Sequence, residues 1–112
     1  MSNSVKLENN GALRDVRIID LTRVLAGPIC TMILADMGAE VIKIERPGKG
    51  DDTRDYGPYQ NGESMIYANI NRNKKGVTLN LKSPEGKEML LKMVKDADVV
   101  VENYRPGVMD KL

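Results

Sequence analysis

Two short runs rich in β-branched residues limit the folds open to this chain more than any other feature. The first covers residues 16–21 (VRIIDL) and the second covers residues 40–45 (EVIKIE). The first run is nearly continuous in apolar character, which is typical of a strand covered on both faces of a sheet. A segment of helix length with an apolar stripe separates the two runs. The sequence therefore predicts a β-α-β unit with parallel strands.

The segment between the two runs carries start and stop signals of a helix. Gly27-Pro28 predicts a glycine at the N-cap and a proline at the first helical position, and Gly38 predicts the C′ position. The second strand is expected to stop at Arg46-Pro47-Gly48, because proline removes a hydrogen-bond donor from the sheet. The apolar stripe of the helix consists of Ile29, Met32, Ile33, Leu34 and Met37.

The same alternation continues towards the end of the chain. Residues 77–81 predict a third strand, and Ser83-Pro84 predicts the start of a helix that runs to about Asp96. Residues 99–101 predict a fourth strand, and 105–107 turn into a further helix. The fold class is therefore α/β, a Rossmann-like three-layer parallel sheet with right-handed crossovers. The second helix is expected to bury Met89, Leu90, Met93, Val94 and Ala97.

At 112 residues the chain has room for one domain. Residues 1–12 are polar and rich in Asn and Ser, so we expect a flexible leader there and a folded domain over residues 13–112. Residues 48–76 are rich in Gly, Asn, Asp and Tyr, with a short helix expected at 63–70. A loop of that length is more often functional than a mere connection.

Composition excludes several classes of function. Seventeen Lys and Arg against sixteen Asp and Glu give a net charge of +1, so no global field favours nucleic acid. No apolar run is long enough to cross a membrane and the start of the chain does not resemble a secretion signal, so we expect a cytoplasmic protein without a membrane partner. A single cysteine and no histidine predict no disulfide and no metal site. We expect Cys30 to be a buried apolar side chain rather than a nucleophile.

Positive charge follows the predicted strands. In an open parallel sheet, ligands bind beyond the carboxyl ends of the strands. The segments at that edge are 22–28, 46–52, 82–83 and 103–105, and three of the four carry Arg or Lys where the strand ends. The helix start near Gly27 adds a partial positive charge. The sequence therefore predicts an anion site at this edge.

Arg46 stands where a Rossmann-type site meets a phosphate on the adenosine ribose. That phosphate is on the 2′-oxygen in NADP and on the 3′-oxygen in CoA. From charge alone, an isolated surface arginine is the more common explanation. The glycine fingerprint G-x-G-x-x-G of dinucleotide sites is missing, since the chain has Leu25-Ala26-Gly27-Pro28 in the first turn. The basic run at 69–75 is either a solvated surface or a second basic lip of the site. The four tyrosines either stack on adenine or pack in the fold.

Several segments together resemble a known family. They are DLTRVLAGP at 20–28, ADMGAEVIKIERP at 35–47, GDDTR at 50–54, NRNK at 71–74, LNLK at 79–82 and VENYRPG at 101–107. In this order they resemble the opening of family III CoA-transferases of the CaiB/BaiF, formyl-CoA transferase-like type. The resemblance covers nearly everything after Leu13. An α-methylacyl-CoA racemase branch belongs to the same family, but residues 50–54 and 71–75 look more like the transferase branch.

The resemblance implies a Rossmann-like domain that holds the ADP and pantetheine parts of coenzyme A. CoA or acyl-CoA would be bound as a substrate, with no covalently attached cofactor. The positions that match the family's CoA contacts lie just after the strands or near them. They are Val24, Leu25, Ala26, Arg46, Leu79, Lys82, Asn103, Tyr104, Arg105 and Lys111.

The resemblance also implies a reaction. Members move CoA between an acyl-CoA and a carboxylic acid through an aspartyl anhydride and an aspartyl-CoA thioester. The attacking aspartate matches a segment downstream of Leu112, so residues 13–112 would be a truncated, inactive CoA-binding part that lacks the catalytic and acceptor-binding parts. No residue of this chain matches a catalytic one. Relatives form an interlocked homodimer. The alternatives are a racemase of the same family and a stand-alone NADP- or nucleotide-binding module.

Overall fold

A computed structural model describes residues 8–112 of the chain. In chain order the helices and strands are β1 (Arg17–Asp20), α1 (Ala26–Asp36), β2 (Glu40–Glu45), β3 (Tyr59–Gln60), β4 (Glu63–Ser64), α2 (Met65–Ile70), β5 (Lys74–Thr78), α3 (Pro84–Lys95) and β6 (Val99–Val101). Four parallel strands form the main sheet in the order β5-β2-β1-β6, and β3 pairs with β4 as a small antiparallel hairpin.

Helices cover both faces of the sheet. Successive side chains of a strand point to opposite faces, so the apolar residues of β1 need a covering helix on each side. Ile18 of β1 packs with Ala35 of α1 on one face, and Ile19 packs with Leu90 of α3 on the other. The last three residues of β1, at positions 18–20, are all buried. The predicted α/β fold with a three-layer parallel sheet is therefore confirmed.

Helix α1 ends where the sequence predicts and begins earlier. Gly38 has a φ of 104°, and the N–H groups of Gly38 and Ala39 donate to the carbonyls of Ala35 and Leu34, which is the hydrogen-bond pattern of a Schellman motif. The helix starts at Ala26 with Leu25 as its N-cap, so the prediction of Gly27 at the N-cap is wrong. Proline fits at the third helical position, because the first-turn N–H groups have no partner within the helix.

Strand β5 begins three residues earlier than the predicted 77–81 and ends at Thr78. Its first two residues, Lys74 and Lys75, belong to the basic run that suggested a solvated surface. The structure pairs both ammonium groups: Lys75 Nζ lies 2.8 Å from Glu40 and Lys74 Nζ lies 3.0 Å from Asp20. The charges therefore do not prevent these residues from pairing with β2.

Helix α3, which follows β5, begins where the sequence predicts. The Ser83 hydroxyl accepts a 3.0 Å hydrogen bond from the Gly86 N–H, and α3 runs from Pro84 to Lys95. After β6 the chain forms only a short 3₁₀ turn at Met109–Lys111, where a further helix was expected.

Two side chains expected inside the fold are exposed. Met89 is 51% exposed, because α3 directs Leu90 and its neighbours at Met93 and Val94 towards the sheet instead. Cys30 is also exposed, since α1 faces the sheet through Thr31 and Ala35. Both expectations were wrong. Two members of the predicted apolar stripe of α1 are exposed as well, Ile33 at 50% and Met37 at 44%.

The predicted leader, residues 1–12, lies partly outside the described residues, which begin at Glu8. Within the described part, Asn9 donates a 2.8 Å hydrogen bond to the Gly38 carbonyl, and Leu13 N–H donates to the Met37 carbonyl at 3.0 Å. The domain boundary at residue 13 stays a prediction. Across residues 8–112, no helix combines the length and the apolar character that a membrane span requires.

Candidate functional site

A cleft of about 500 Å³ opens at the carboxyl ends of the parallel strands. The segments after β1, β2, β5 and β6 all contribute to it, as the rule for ligand sites in parallel sheets predicts. The cleft is lined by Leu21, Thr22, Arg23, Lys43, Ile44, Glu45, Arg46, Pro47, Gly50, Asp51, Leu79, Asn80, Leu81, Lys82 and Tyr104.

The structure brings together only part of the predicted site. Arg46, Leu79, Lys82 and Tyr104 line the cleft. The turn at 24–26 leads into α1 beside it, whereas Asn103, Arg105 and Lys111 are not among the lining residues. The basic run at 69–75 does not line the cleft either. The CoA contacts assigned to these positions remain predictions.

Asn103 contributes indirectly, because it holds a residue that does line the cleft. Its side-chain amide donates to the Arg23 carbonyl at 2.8 Å and accepts from the Arg23 N–H at 3.1 Å. Both peptide groups of Arg23 are thereby tied to the segment after β6. Arg23 itself was missed as a site residue, although its place directly after the first strand was visible in the sequence.

A buried ion pair forms the floor of the cleft. Lys43 Nζ lies 2.7 Å from Asp51 Oδ2, and both side chains are almost fully buried. Asp51 Oδ1 accepts further hydrogen bonds from Thr53 N–H at 3.0 Å and from Val24 N–H at 3.2 Å. Burial raises the pKa of the Asp51 carboxyl, but its hydrogen bonds with Lys43 and Thr53 outweigh that effect and lower the pKa. Asp51 is therefore a charged carboxylate with its acceptors occupied.

A second buried ion pair anchors the end of β1. Asp20 is fully buried and accepts from Thr22 N–H at 2.9 Å, from the Thr31 hydroxyl at 2.6 Å and from Lys74 Nζ at 3.0 Å. Burial lowers the pKa of Lys74, while the charge of Asp20 acts in the opposite direction. The pair thereby connects the beginning of the turn, α1 at Thr31 and the start of β5.

Glu45 ties the long loop to the end of β2. Its carboxylate accepts from Arg54 Nε at 2.8 Å and Nη2 at 2.7 Å, from the Tyr67 hydroxyl, and from the Asp51 N–H at 2.9 Å. The guanidinium of Arg54 also lies over the Tyr67 ring, 3.8 Å from its centre. The predicted functional loop is therefore folded against the sheet beside the cleft.

The Glu45 cluster predicts a pH dependence of stability. Burial raises the pKa of the Glu45 carboxyl, but hydrogen bonds from Arg54 and Tyr67 outweigh it and lower the pKa from its ordinary 4.5 to about 2. Because the folded pKa lies below the unfolded one, this stabilisation is present above pH 4.5 and is lost as the pH falls towards 2. We expect Glu45→Gln to lower the free energy of unfolding at pH 7 by about 1–2 kcal/mol, after allowing for the half-exposed Arg54.

Urea unfolding at a series of pH values measures this effect. The Glu45→Gln variant should show a flatter stability curve between pH 4.5 and 2 than the wild-type chain. Glu88→Gln is the matched control, because Glu88 lies on the exposed face of α3 with its nearest lysine at 3.7 Å. Parallel curves for Glu45→Gln and wild type over this range would contradict the prediction.

Arg46 lies at the rim of the cleft with its guanidinium half exposed. Its Nε donates to the Gly50 carbonyl at 2.9 Å and its Nη2 to Asp52 Oδ1 at 2.8 Å. An exposed ion pair of this kind contributes about 0–1 kcal/mol, so a bound anion can compete with Asp52. Arg23 and Lys82 make no ion pair with any residue between 8 and 112.

The cleft can therefore attract an anion, and it offers no free carboxylate. Glu45 is held by Arg54 and Asp51 by Lys43, whereas two cations remain unpaired by described residues. Within the described range, no group of His, Cys, Asp or Glu is arranged to hold a metal ion. The chemistry available to these residues is anion binding and positioning.

Comparison with known proteins identifies close relatives. Residues 13–112 match the family described as CoA-transferase family III. The acetyl-CoA:oxalate CoA-transferase of Acetobacter aceti is 48% identical over 112 residues, which cover 100% of this chain and 29% of that protein. The succinyl-CoA:glutarate CoA-transferase of Mus musculus is 54% identical over 101 residues, 89% of this chain and 23% of that protein.

A solved structure matches the fold as well. The crystal structure of a CaiB/BaiF family protein from Brucella suis superposes with a TM-score of 0.84 and 39% sequence identity. The match covers 91% of this chain and 28% of that one. The chain thus spans between 23% and 29% of the length of these relatives.

Proposed function

The chain belongs to CoA-transferase family III, and from this membership we propose that its cleft binds the CoA part of an acyl-CoA. We further propose that the whole protein moves CoA from an acyl-CoA to a carboxylic acid. The finding that carries the first proposal is the charge around the cleft. Arg23, Arg46 and Lys82 line it, while the carboxylates that line it are neutralised by neighbouring cations. A phosphorylated nucleotide is the ligand that such a surface favours.

The proposed contacts follow from position and chemistry. Arg46, at the end of β2, binds the 3′-phosphate of the adenosine ribose. Leu79 and Tyr104 supply apolar walls for the nucleoside, and burial raises the pKa of the Tyr104 hydroxyl, which keeps it neutral. The turn at 24–26 faces the pantetheine and thioester end. The remaining proposed CoA contacts are Lys82, Asn103, Arg105 and Lys111.

The proposed reaction is an acyl transfer through an enzyme carboxylate. An aspartate attacks the thioester carbonyl, the carbon–sulfur bond breaks, and CoA leaves as a thiolate to give a mixed anhydride. The thiolate then attacks the aspartyl carbonyl and releases the donor acid as a carboxylate. The acceptor carboxylate attacks this aspartyl-CoA thioester, which forms a second mixed anhydride and releases the CoA thiolate. The thiolate then attacks the acceptor carbonyl of that anhydride, which gives the new acyl-CoA and releases the aspartate carboxylate. The family resemblance assigns this reaction to an interlocked homodimer.

We assign the nucleophile to none of the buried carboxylates near the cleft, and the half-exposed Asp52 is the ion-pair partner of Arg46. Asp20, Asp51 and Glu45 are each buried and each paired with a cation, so none has an unoccupied oxygen directed at a substrate. We therefore propose that this chain supplies CoA binding and no catalytic residue, and that by itself it is inactive.

The role of Arg46 predicts a selectivity between two ligands. A charge-assisted contact with the 3′-phosphate contributes about 1.5–3 kcal/mol when it is well formed. Because Arg46 is half exposed, we expect the chain to bind CoA about ten-fold more tightly than 3′-dephospho-CoA. Arg46→Ala should remove this difference while leaving the affinity for 3′-dephospho-CoA nearly unchanged. Isothermal titration with both ligands measures it.

Arg72→Ala is the control for this experiment, since Arg72 is a half-exposed arginine paired with Asp36 away from the cleft. It should keep the preference for CoA. Equal affinities of the wild-type chain for the two ligands would overturn the role of Arg46. A third titration with NADP tests the alternative ligand, and tighter binding of NADP than of CoA would favour the nucleotide-binding module.

A further inference from the structure

The turn between β1 and α1 contains a residue in an unfavourable backbone conformation. Val24 has a φ of 72°, in the left-handed region. Among residues 8–112 only two other non-glycine residues have positive φ, and both are asparagines, which tolerate it. For a β-branched residue this conformation is a true outlier, and it persists only where the surrounding structure enforces it.

Hydrogen bonds from neighbouring segments hold each of the three successive residues 22–24 of the turn in place. Thr22 is held by Asp20, and Arg23 by the side-chain amide of Asn103. The Val24 N–H donates to Asp51 Oδ1 at 3.2 Å, across 27 residues of sequence. Asp51 is thus the side chain that holds the strained residue itself.

Asp51 is held in turn from the opposite side. Lys43 Nζ binds its other carboxylate oxygen at 2.7 Å, and the same ammonium lies 3.4 Å from the Thr22 carbonyl. The Asp51 N–H donates to Glu45 at 2.9 Å. Lys43 and Asp51 therefore form a rigid, buried support that contacts both Thr22 and Val24 of the turn.

We propose that Asp51, held by Lys43, is a positioning residue that keeps the turn at 22–26 in the conformation that receives the thioester end of acyl-CoA. This inference rests on the proposed function, because it is the CoA-binding role that gives the turn its importance. Asp51 acts through the Val24 N–H and the turn, and it does not itself contact the reacting atoms.

Two double variants separate the hydrogen bond from the buried charge. Lys43→Met with Asp51→Asn removes both charges and leaves an amide oxygen that accepts from Val24. Lys43→Met with Asp51→Leu removes the charges and the acceptor together. The two variants differ in the acceptor at Oδ1, which receives the Val24 N–H and also the N–H and hydroxyl of Thr53. We expect the second variant to bind CoA about five-fold more weakly than the first, because it no longer holds the Val24 N–H.

Adding Val24→Gly to the double variant Lys43→Met with Asp51→Leu tests whether Asp51 acts by holding Val24 at positive φ. Glycine adopts positive φ without steric cost, so the turn no longer depends on Asp51 to hold it there. We expect this substitution to recover at least half of the lost affinity, measured as the free energy of binding. A support that served stability alone would not be rescued in this way. Equal CoA affinity of the two double variants, or no recovery with Val24→Gly, would overturn the proposal.

Val24→Pro covers the case in which the buried variants do not fold. Val24 lies in a turn near the surface, and proline fixes φ near −65° and has no N–H. We expect this variant to fold and to bind CoA at least ten-fold more weakly than wild type. Wild-type affinity in Val24→Pro would show that the left-handed turn is irrelevant to binding.

Hydrogen exchange of the Val24 amide distinguishes failure of this inference from failure of the proposed function. Without any ligand, the amide should exchange about ten-fold faster in the double variant with Asp51→Leu than in the one with Asp51→Asn, while amides in α1 remain alike. If wild type does not bind CoA, the proposed function is wrong and this result still decides whether Asp51 holds the turn. Equal exchange at Val24 in the two variants would overturn the inference.

Discussion

Asp20→Asn should lower the free energy of unfolding by about 3–5 kcal/mol. Asp20 is fully buried and is the carboxylate that neutralises the buried Lys74. The amide keeps the size of the side chain and removes its charge, so the ammonium group is left buried and unpaired. Urea unfolding at pH 7 measures the loss.

A second substitution shows whether the loss comes from the unpaired charge. Lys74→Met added to Asp20→Asn removes the orphaned ammonium, and replacing both partners of a buried pair costs far less than breaking it. The double variant should recover more than half of the stability. Lys92→Met is the control on an exposed pair with Glu88, and it should change stability by no more than about 0.5 kcal/mol. A double variant as unstable as Asp20→Asn would contradict this explanation.

The fold was predictable because its signals are local. The runs at 16–21 and 40–45, the Gly38 stop and the Ser83-Pro84 start each depend on a few neighbouring residues, and the structure places elements at all of them. The edge that holds the cleft was predictable for a related reason. Parallel strands bring their carboxyl ends to one side, so the segments after them must meet.

The interior of the site was not predictable, because it depends on pairs that are distant in sequence. Lys74 and Asp20 are 54 residues apart, and Lys74 was assigned to a solvated run or a basic lip. The ion pair places it inside the fold and lets β5 begin there. Lys43 and Asp51 were likewise visible only as charges in a strand and a loop. No local pattern indicates that two opposite charges will meet without water.

At Gly27, too, the sequence neighbours did not reveal the contact that explains the residue. Its sequence neighbours indicated an N-cap, where glycine is favoured for its backbone freedom. The structure gives a different reason for the glycine. A Cβ at this position would lie 2.4 Å from the Thr22 Cβ and 2.5 Å from its Cγ2. The absence of a side chain lets the first turn of α1 approach the end of β1, and this contact brings the turn at 22–26 together.

Gly27→Ala should therefore destabilise the chain although it places a better helix former in a helix. Helix propensity alone predicts a gain of about 1 kcal/mol. The contact with Thr22 outweighs it, because Thr22 is buried and its hydroxyl is bound to Asp20, so neither side can move freely. Overpacking of this kind costs about 1–3 kcal/mol, and we expect a value near the upper end. Thermal and urea unfolding measure the change.

Gly76→Ala is the matched control, since a Cβ there meets no atom within 4 Å and the backbone needs no positive φ. It should leave stability unchanged or raise it by up to about 1 kcal/mol. Because the clash also pushes α1 away from β1, Gly27→Ala should weaken the proposed CoA binding as well, whereas Gly76→Ala should not. A Gly27→Ala chain as stable as wild type would mean that the helix and strand are not in contact at Thr22, and the turn would then lack the support described for it.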